Sequence, residues 1–338
     1  MNKFSWYEAK SIEDALDQVN STVSGELYKP TQEAAVFKSG GIDLFDLVKE
    51  GLIRPKKIVN IRNIPGLDSI GFDAKEGLRI GANVTLAEIE NNKEVEKRYF
   101  ALHQAVAHAA TPQLRNMSTI AGNLAQRNRC WYFRSADHPC FRKGGDRCYA
   151  RSNSSGENEN HAILDNGSCV SVHASSIATA LMAFNAVVVI VNKDGEKKEI
   201  PMDDFFVSPL QDPTTETILK PQEIITEIVV PAPSAATKSF YIKEVARESY
   251  DWSLGDVAVV AEVSGNTCQK ASIVLGSAAP VPYRSLPAEQ AMENKAIDEK
   301  NATAAAEAAM DAARPLSKNG YKVPLFAAII KRAILEIA

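Results

Sequence analysis

"TPQLRNMSTIAGNLAQ", residues 111–126, sets Thr111, Gln113, Arg115, Asn116, Thr119 and Asn123 around Gly122, with Leu114, Ile120 and Leu124 interleaved. So many hydrogen-bonding groups beside apolar anchors describe either a loop lining a site for a polar, charged ligand or a solvated connection with a helix cap. A second turn of the same kind lies upstream in "VFKSGGIDLFDLV", residues 36–48, where a strand-like entry meets paired glycines and then a helix start. Glycine admits positive φ and lets a ligand approach the backbone closely, and successive N–H groups at a helix start can cradle a phosphate. The run is neither a G-x-G-x-x-G turn nor a Walker loop, so an ordinary Gly-Gly turn is the competing reading. Taken together, the two loops fit one elongated ligand with a pyrophosphate and several hydroxyls.

Working outward, "SIEDALDQV" follows Ser11 as a capped helix with Glu13 and Asp14 in its first turn, and Gly51 closes the helix begun at the paired glycines. "KKIVNIRNI" and "GLRIGANVTLAEI", within 57–90, read as strands, and "FALHQAVAHAA" (100–110) as a helix stopped by Pro112. Residues 111–170 show little periodicity and end in the polar loop "SNSSGENENHAILDNGSC". "IATALMAFNAVVVIV" (177–191) is shorter than the roughly 20 residues of a spanning helix and reads as a helix running into a buried strand. "VPAPSAATK" (230–238) looks like a domain boundary, beyond which two strands precede an Ala-rich helix at 297–313 and a C-terminal helix at 323–337.

With 338 residues, two or three domains are expected. A net charge of -4 gives no case for nucleic acid as a partner, although Arg127, Arg129, Arg134, Arg142, Lys143, Arg147 and Arg151 cluster locally. The N-terminus has no apolar run of the kind a signal peptide needs.

Among those basic residues fall three of the five cysteines, and with a fourth downstream they make the pattern Cys130-x9-Cys140-x7-Cys148-x20-Cys169. Structural zinc sites pair their thiolates as C-x2-4-C, and no pair here is that close. Wide, irregular spacing suits a loop wrapping a larger object such as an iron–sulfur cube, with the basic residues offsetting thiolate charge. Spacing alone leaves open a zinc loop, buried free cysteines or disulfides. His103 and His108 lie five apart on one helix and face differently, so they do not read as a metal pair; His138 and His161 are minor candidate ligands.

"SGGIDL", "PQLRNMSTIAGNL", "LKPQEIITEIVVP", "YIKEVARESYDWSLGDVAVVAEV" and "VLGSAAPVPYR" occur in this order. The series resembles the FAD-binding subunit of the xanthine dehydrogenase and carbon monoxide dehydrogenase family of molybdenum hydroxylases, from about Phe4 to the C-terminus. The resemblance implies an α+β chain: a two-part FAD-binding domain of the PCMH type (1–56 and 57–230, with an iron–sulfur loop at about 127–170), then a C-terminal flavoprotein domain (231–338). It implies FAD contacts from Phe37, Lys38, Ser39, Gly40, Gly41, Ile42, Asp43 and Leu44, and from Thr111, Thr119, Gly122, Asn123, Ser176 and Lys243. Two positions depart from the family pattern. Ile42 stands where Thr is usual, and Ser176 stands in place of the Asp of a His-Pro-Ser-Asp-like segment.

A cysteine loop directly after the Gly-Asn-Leu motif is similar to that of the flavin subunit of bacterial periplasmic aldehyde oxidoreductases. This implies a [4Fe–4S] cluster on Cys130, Cys140, Cys148 and Cys169, with Cys268 a bystander. The expected role is electron transfer in an aldehyde oxidoreductase, with a molybdenum cofactor and [2Fe–2S] clusters on partner subunits, an external acceptor, and no catalytic residue on this chain. Flavin subunits of an aromatic acyl-CoA reductase or of a xanthine dehydrogenase-like hydroxylase, and a flavin-free, zinc-stapled scaffold subunit, are the competing expectations. The compartment is the periplasm by co-export with a signal-bearing partner, or the cytoplasm.

Overall fold

The computed structural model describes residues 2–31, 33–151, 156–248 and 250–338; Ser152–Ser155 of the polar loop lie outside the described residues. Its strands form three sheets in chain order. The first is parallel, with β3 (Lys57–Asn60) between β1 (Ser5–Glu8) and β2 (Ala35–Lys38). Alternation along β3 sends Val59 to a core with Ala15, Leu16 and Val19, and Ile58 to an opposite core with Val36, Leu44, Leu47 and Phe133. Ser11 caps helix Ile12–Gln18 by accepting from the Asp14 amide, as its sequence signature predicts. Because β3 pairs with β1 and β2, the first sheet runs past the expected boundary at residue 56.

The second sheet runs in the order β4-β5-β8-β6-β7, from β4 (Ile70–Asp73), β5 (Gly77–Gly81), β6 (Val187–Asn192), β7 (Lys197–Pro201) and β8 (Glu223–Val230). Helices Phe100–Ala107 and Ser176–Ala183 cover it, burying Leu102, Val106, Ile177 and Leu181 against Ile80, Val188 and Ile228. The strand-like reading of "VTLAEI" is corrected here: Leu86–Glu90 is a helix. Thr85 and Glu88 close a reciprocal capping box that fixes its first turn.

The third sheet is antiparallel: β9 (Thr237–Val245), β10 (Ser253–Ser264), β11 (Thr267–Gly276) and β12 (Tyr283–Arg284), with β13 (Lys295–Ala296) on β11. Val257 and Val259 of β10 face helices Glu299–Met310 and Lys322–Leu335, while Ala258 joins the core of the second sheet. This two-faced strand joins the C-terminal unit to the middle one. Cys268 is the second residue of β11, buried in the core between the third sheet and its helices, away from the other four cysteines. Among the described residues no helix is long and apolar enough to cross a membrane.

Candidate functional site

The paired-glycine loop leaves β2 and enters helix Ile42–Lys49 through Gly41, whose φ of 83° lies in the left-handed region. Gly40 answers a different demand. A Cβ there would stand 2.3 Å from the Met117 carbonyl oxygen, so the first loop lies directly on the backbone of the second. Ser39 Oγ donates to Asn83 Oδ1 at 2.6 Å, which spends its only proton. Thr119 Oγ1, 3.0 Å from Ser39 Oγ, is therefore the donor between the two loops. Thr119 also caps helix Ile120–Leu124 at the Gly122 amide, and Thr111 caps helix Pro112–Met117. Ser175, the cap of helix Ser176–Ala183, donates to Asn123 and adds a third segment to the assembly.

These segments surround a cavity of about 920 Å³. All of the residues the resemblance marks, Phe37, Lys38, Ser39, Gly40, Gly41, Ile42, Asp43, Leu44, Thr111, Thr119, Gly122, Asn123, Ser176 and Lys243, line this one cavity. Lys38 Nζ donates to Asn60 at 3.0 Å and Lys243 Nζ to the His108 carbonyl at 2.9 Å. Burial lowers both ammonium pKa values. The Asp43 carboxylate is turned toward the cysteine loop: it accepts from the Arg127 amide at 2.9 Å and Arg134 Nη2 at 2.7 Å, and pairs with Arg129 at 3.0 Å. The Asp43 charge beside the paired-glycine loop is thereby neutralised.

Cys130, Cys140, Cys148 and Cys169, all unbridged, line a second, smaller cavity with Phe133, Phe141, Tyr132 and Tyr149. Cys130 and Ser171 belong to the walls of both cavities. Backbone amides point at the sulfurs: Phe133 and Tyr132 at Cys130, Arg142 at Cys140, and Val170, Arg151 and Ala150 at Cys148. Arg142 Nε donates to Cys169 Sγ at 3.3 Å, and His161 Nε2 lies 3.2 Å from Cys130 Sγ. Burial pushes the Cys130 thiol up to about 12 and raises Cys140 and Cys148, so metal binding at this cavity must expel protons. Among the described residues no three His, Cys, Asp or Glu side chains gather as ligands of a single ion. Four thiols line one cavity, each met by N–H donors or a cation, a donor set able to supply anionic ligands.

Beneath this cavity lies a charged network that the sequence does not announce. Arg127, Arg142 and Glu216 are 2%, 1% and 6% exposed. Glu216 pairs with Arg127, stands 3.6 Å from Arg142 Nη1 and accepts from Asn128 Nδ2 at 2.7 Å. Burial works to raise the Glu216 pKa, but the two guanidiniums outweigh it and hold the group below the usual carboxylate value. Two buried cations on one carboxylate leave positive charge beside Cys169, suited to thiolate ligands. The remaining histidines stand apart: His138 packs between Tyr132 and Tyr149, and His108 Nδ1 meets the Gln104 carbonyl on its own helix. Neither His138 nor His161 lines the four-cysteine cavity.

Comparison with known proteins establishes the family. Residues 2–233 match the FAD-binding domain in molybdopterin dehydrogenases, and residues 240–337 the carbon monoxide dehydrogenase flavoprotein C-terminal domain. The chain is 31% identical to the aldehyde oxidoreductase FAD-binding subunit PaoB of Escherichia coli (strain K12), covering 91% of this chain and 93% of that one. It is 26% identical to the carbon monoxide dehydrogenase medium chain of Hydrogenophaga pseudoflava, covering 98% and 96%. A solved structure of carbon monoxide dehydrogenase from that organism superposes with a TM-score of 0.73 at 25% identity, covering 100% of this chain and 97% of that one. Matched by both domain models over nearly its whole length, the chain belongs to the FAD-binding medium subunits of the carbon monoxide and xanthine dehydrogenase family, oxidoreductase components of the molybdenum hydroxylases.

Proposed function

We propose that this chain is the electron-transfer subunit of a molybdenum-dependent aldehyde oxidoreductase, holding FAD in the larger cavity and a [4Fe–4S] cluster on Cys130, Cys140, Cys148 and Cys169. The observation that carries the reading is the shared wall: the four-cysteine cavity and the cavity lined by both glycine loops meet at Cys130 and Ser171. Bound there, FAD supplies a carrier that takes electrons singly and releases them singly or in pairs. The protein's part is to bind and place. Backbone N–H groups from Ser39 to Leu44 offer donors for a pyrophosphate, and Thr119 and Asn123 hold the second loop against it. The thiols of the smaller cavity, with Arg142 and the amides around them, offer four anionic ligands and their compensating donors. No side chain of this chain is asked to act as a general acid or base. The hydroxylation of aldehyde to acid belongs to a partner with a molybdenum cofactor, with [2Fe–2S] clusters on a second partner.

The aldehyde class rests on the 31% identity to an aldehyde oxidoreductase subunit, against 26% for carbon monoxide dehydrogenase and 20% for xanthine dehydrogenase subunits. Anaerobic purification with partner subunits, an absorption spectrum and metal analysis test the reading. Flavin absorption with about four iron and four sulfide per chain, the content of one cube, is expected. A colourless chain containing zinc overturns it.

A further inference from the structure

His161 sits on the partition between the two cavities. It lines the larger one, is 4% exposed, and brings Nε2 to 3.2 Å from Cys130 Sγ, the sulfur that belongs to both walls. Its Nδ1 is buried without a hydrogen-bond partner among the described residues. The backbone around it is pinned. The His161 carbonyl accepts from Asn319 Nδ2 at 2.9 Å and Lys322 Nζ at 3.2 Å, and its amide donates to the Asn158 carbonyl at 3.1 Å. A ring held this firmly, with one nitrogen committed and the other buried and unspent, is unusual because an unpaired buried polar atom costs stability.

We propose that His161 is a positioning residue at the partition between the two redox sites: its Nε2–H donates to the Cys130 thiolate. The inference rests on the flavin and cluster reading above. The proton assignment follows from chemistry. A sulfur bound to iron carries no proton, so Nε2 must carry the hydrogen of their contact, and a neutral imidazole then presents a bare Nδ1. A hydrogen bond to a cluster thiolate stabilises the more negative, reduced state and so raises its potential. This places control of the cluster on the one ligand that faces the flavin.

The test uses the complete complex and three forms of this chain: wild type, His161→Phe, which keeps ring shape without N–H, and His161→Gln, which keeps a donor. Iron and sulfide are measured first, then the cluster is titrated by electron paramagnetic resonance. In His161→Phe the reduced-to-oxidised ratio at fixed ambient potential falls about tenfold, a shift of ~59 mV for one electron; His161→Gln recovers most of it. A titration of His161→Phe that overlays wild type at full iron content, or of His161→Gln that overlays His161→Phe, overturns the proposal alone. Wild-type protein without iron overturns the cluster reading and this proposal with it. Should His161→Phe fail to fold, ¹⁵N-histidine labelling of the wild type decides: a nitrogen coupling on the reduced cluster that His161→Gln abolishes supports the link, and its absence in wild type refutes it.

Discussion

Replacing Gly40 by Ala tests whether the two glycine loops work as one clamp. The added Cβ would lie 2.3 Å from the Met117 carbonyl oxygen, 3.2 Å from its carbon and 3.3 Å from Ser118 Cα, where ordinary contact begins near 3.4 Å. Every one of these atoms is backbone, so no rotamer relieves the clash. The second loop has little room to retreat. The Met117 carbonyl already accepts from Arg62 Nη1 at 2.9 Å, the Ser118 carbonyl from the Leu86 amide at 3.0 Å, and the Ile120 amide donates to the Val84 carbonyl at 2.9 Å. Relief therefore means moving the first loop, which stretches the Ser39–Thr119 contact. Overpacking of this kind costs about 1–3 kcal/mol and a strained hydrogen bond about 1 more. If about 2–3 kcal/mol of that falls on the flavin-bound state, FAD affinity drops roughly 30- to 150-fold, since 1.36 kcal/mol is tenfold. Flavin-stripped protein titrated with FAD by fluorescence quenching measures it. Gly71→Ala, where nothing stands within 4 Å of the new Cβ, is the control. Gly40→Ala binding FAD within twofold of wild type would refute the clamp.

Asp43→Asn removes the charge that takes Arg134, Arg129 and the Arg127 amide, partly buried contacts worth about 2 kcal/mol together, and is expected to lower the urea midpoint without loss of iron; an unchanged midpoint counts against docking of the cysteine loop through this residue. Cys140→Ser should lose cluster iron while Cys268→Ser keeps it, because Cys268 lies in the third core. If Cys140→Ser keeps fold and FAD but loses acceptor turnover, the cluster is a relay and not a staple. His173 is pushed down from 6.5 to about 4, chiefly by burial, and its Nδ1 accepts from the Ser175 amide. Its unfolded form binds more protons between those values, so its contribution is complete above pH 6.5 and is lost as pH falls toward 4, about 3 kcal/mol in all. Urea unfolding at pH 7.5 and 4.5 should show this loss, and His173→Gln should flatten it; parallel acid limbs would sink the assignment.

What the sequence shows of this molecule, and what it hides, divides by the distance over which each feature is encoded. The Ser11 cap, the Gly-Gly entry to a helix and the valine-rich strands are local patterns, and each appears where its period or cap places it. The capping box of Thr85 and Glu88 is equally local in "TLAE", and it overrides the strand-like alternation that precedes it because a reciprocal cap is the stronger signal. Asn83, Glu216 and the partition histidine are different. Asn83 meets Ser39 across 44 residues, Glu216 meets Asn128 across 88, and His161 meets Cys130 across 31. Nothing in their own neighbourhoods distinguishes Asn83 and Glu216 from ordinary loop polar residues, and His161 stands out only as a minor candidate ligand near the cysteines. Each becomes visible only when folding brings it against a motif already marked by type: a paired glycine turn, a buried arginine, a cysteine. The motifs thus mark the linings of the two cavities, and the unmarked residues hold those linings together. Substitution at Asn83 or His161 should therefore disturb how the two cavities are coupled more than whether they form, whereas loss of Glu216 leaves Arg127 and Arg142 buried without a counter-charge and should destabilise the cysteine loop itself in urea unfolding.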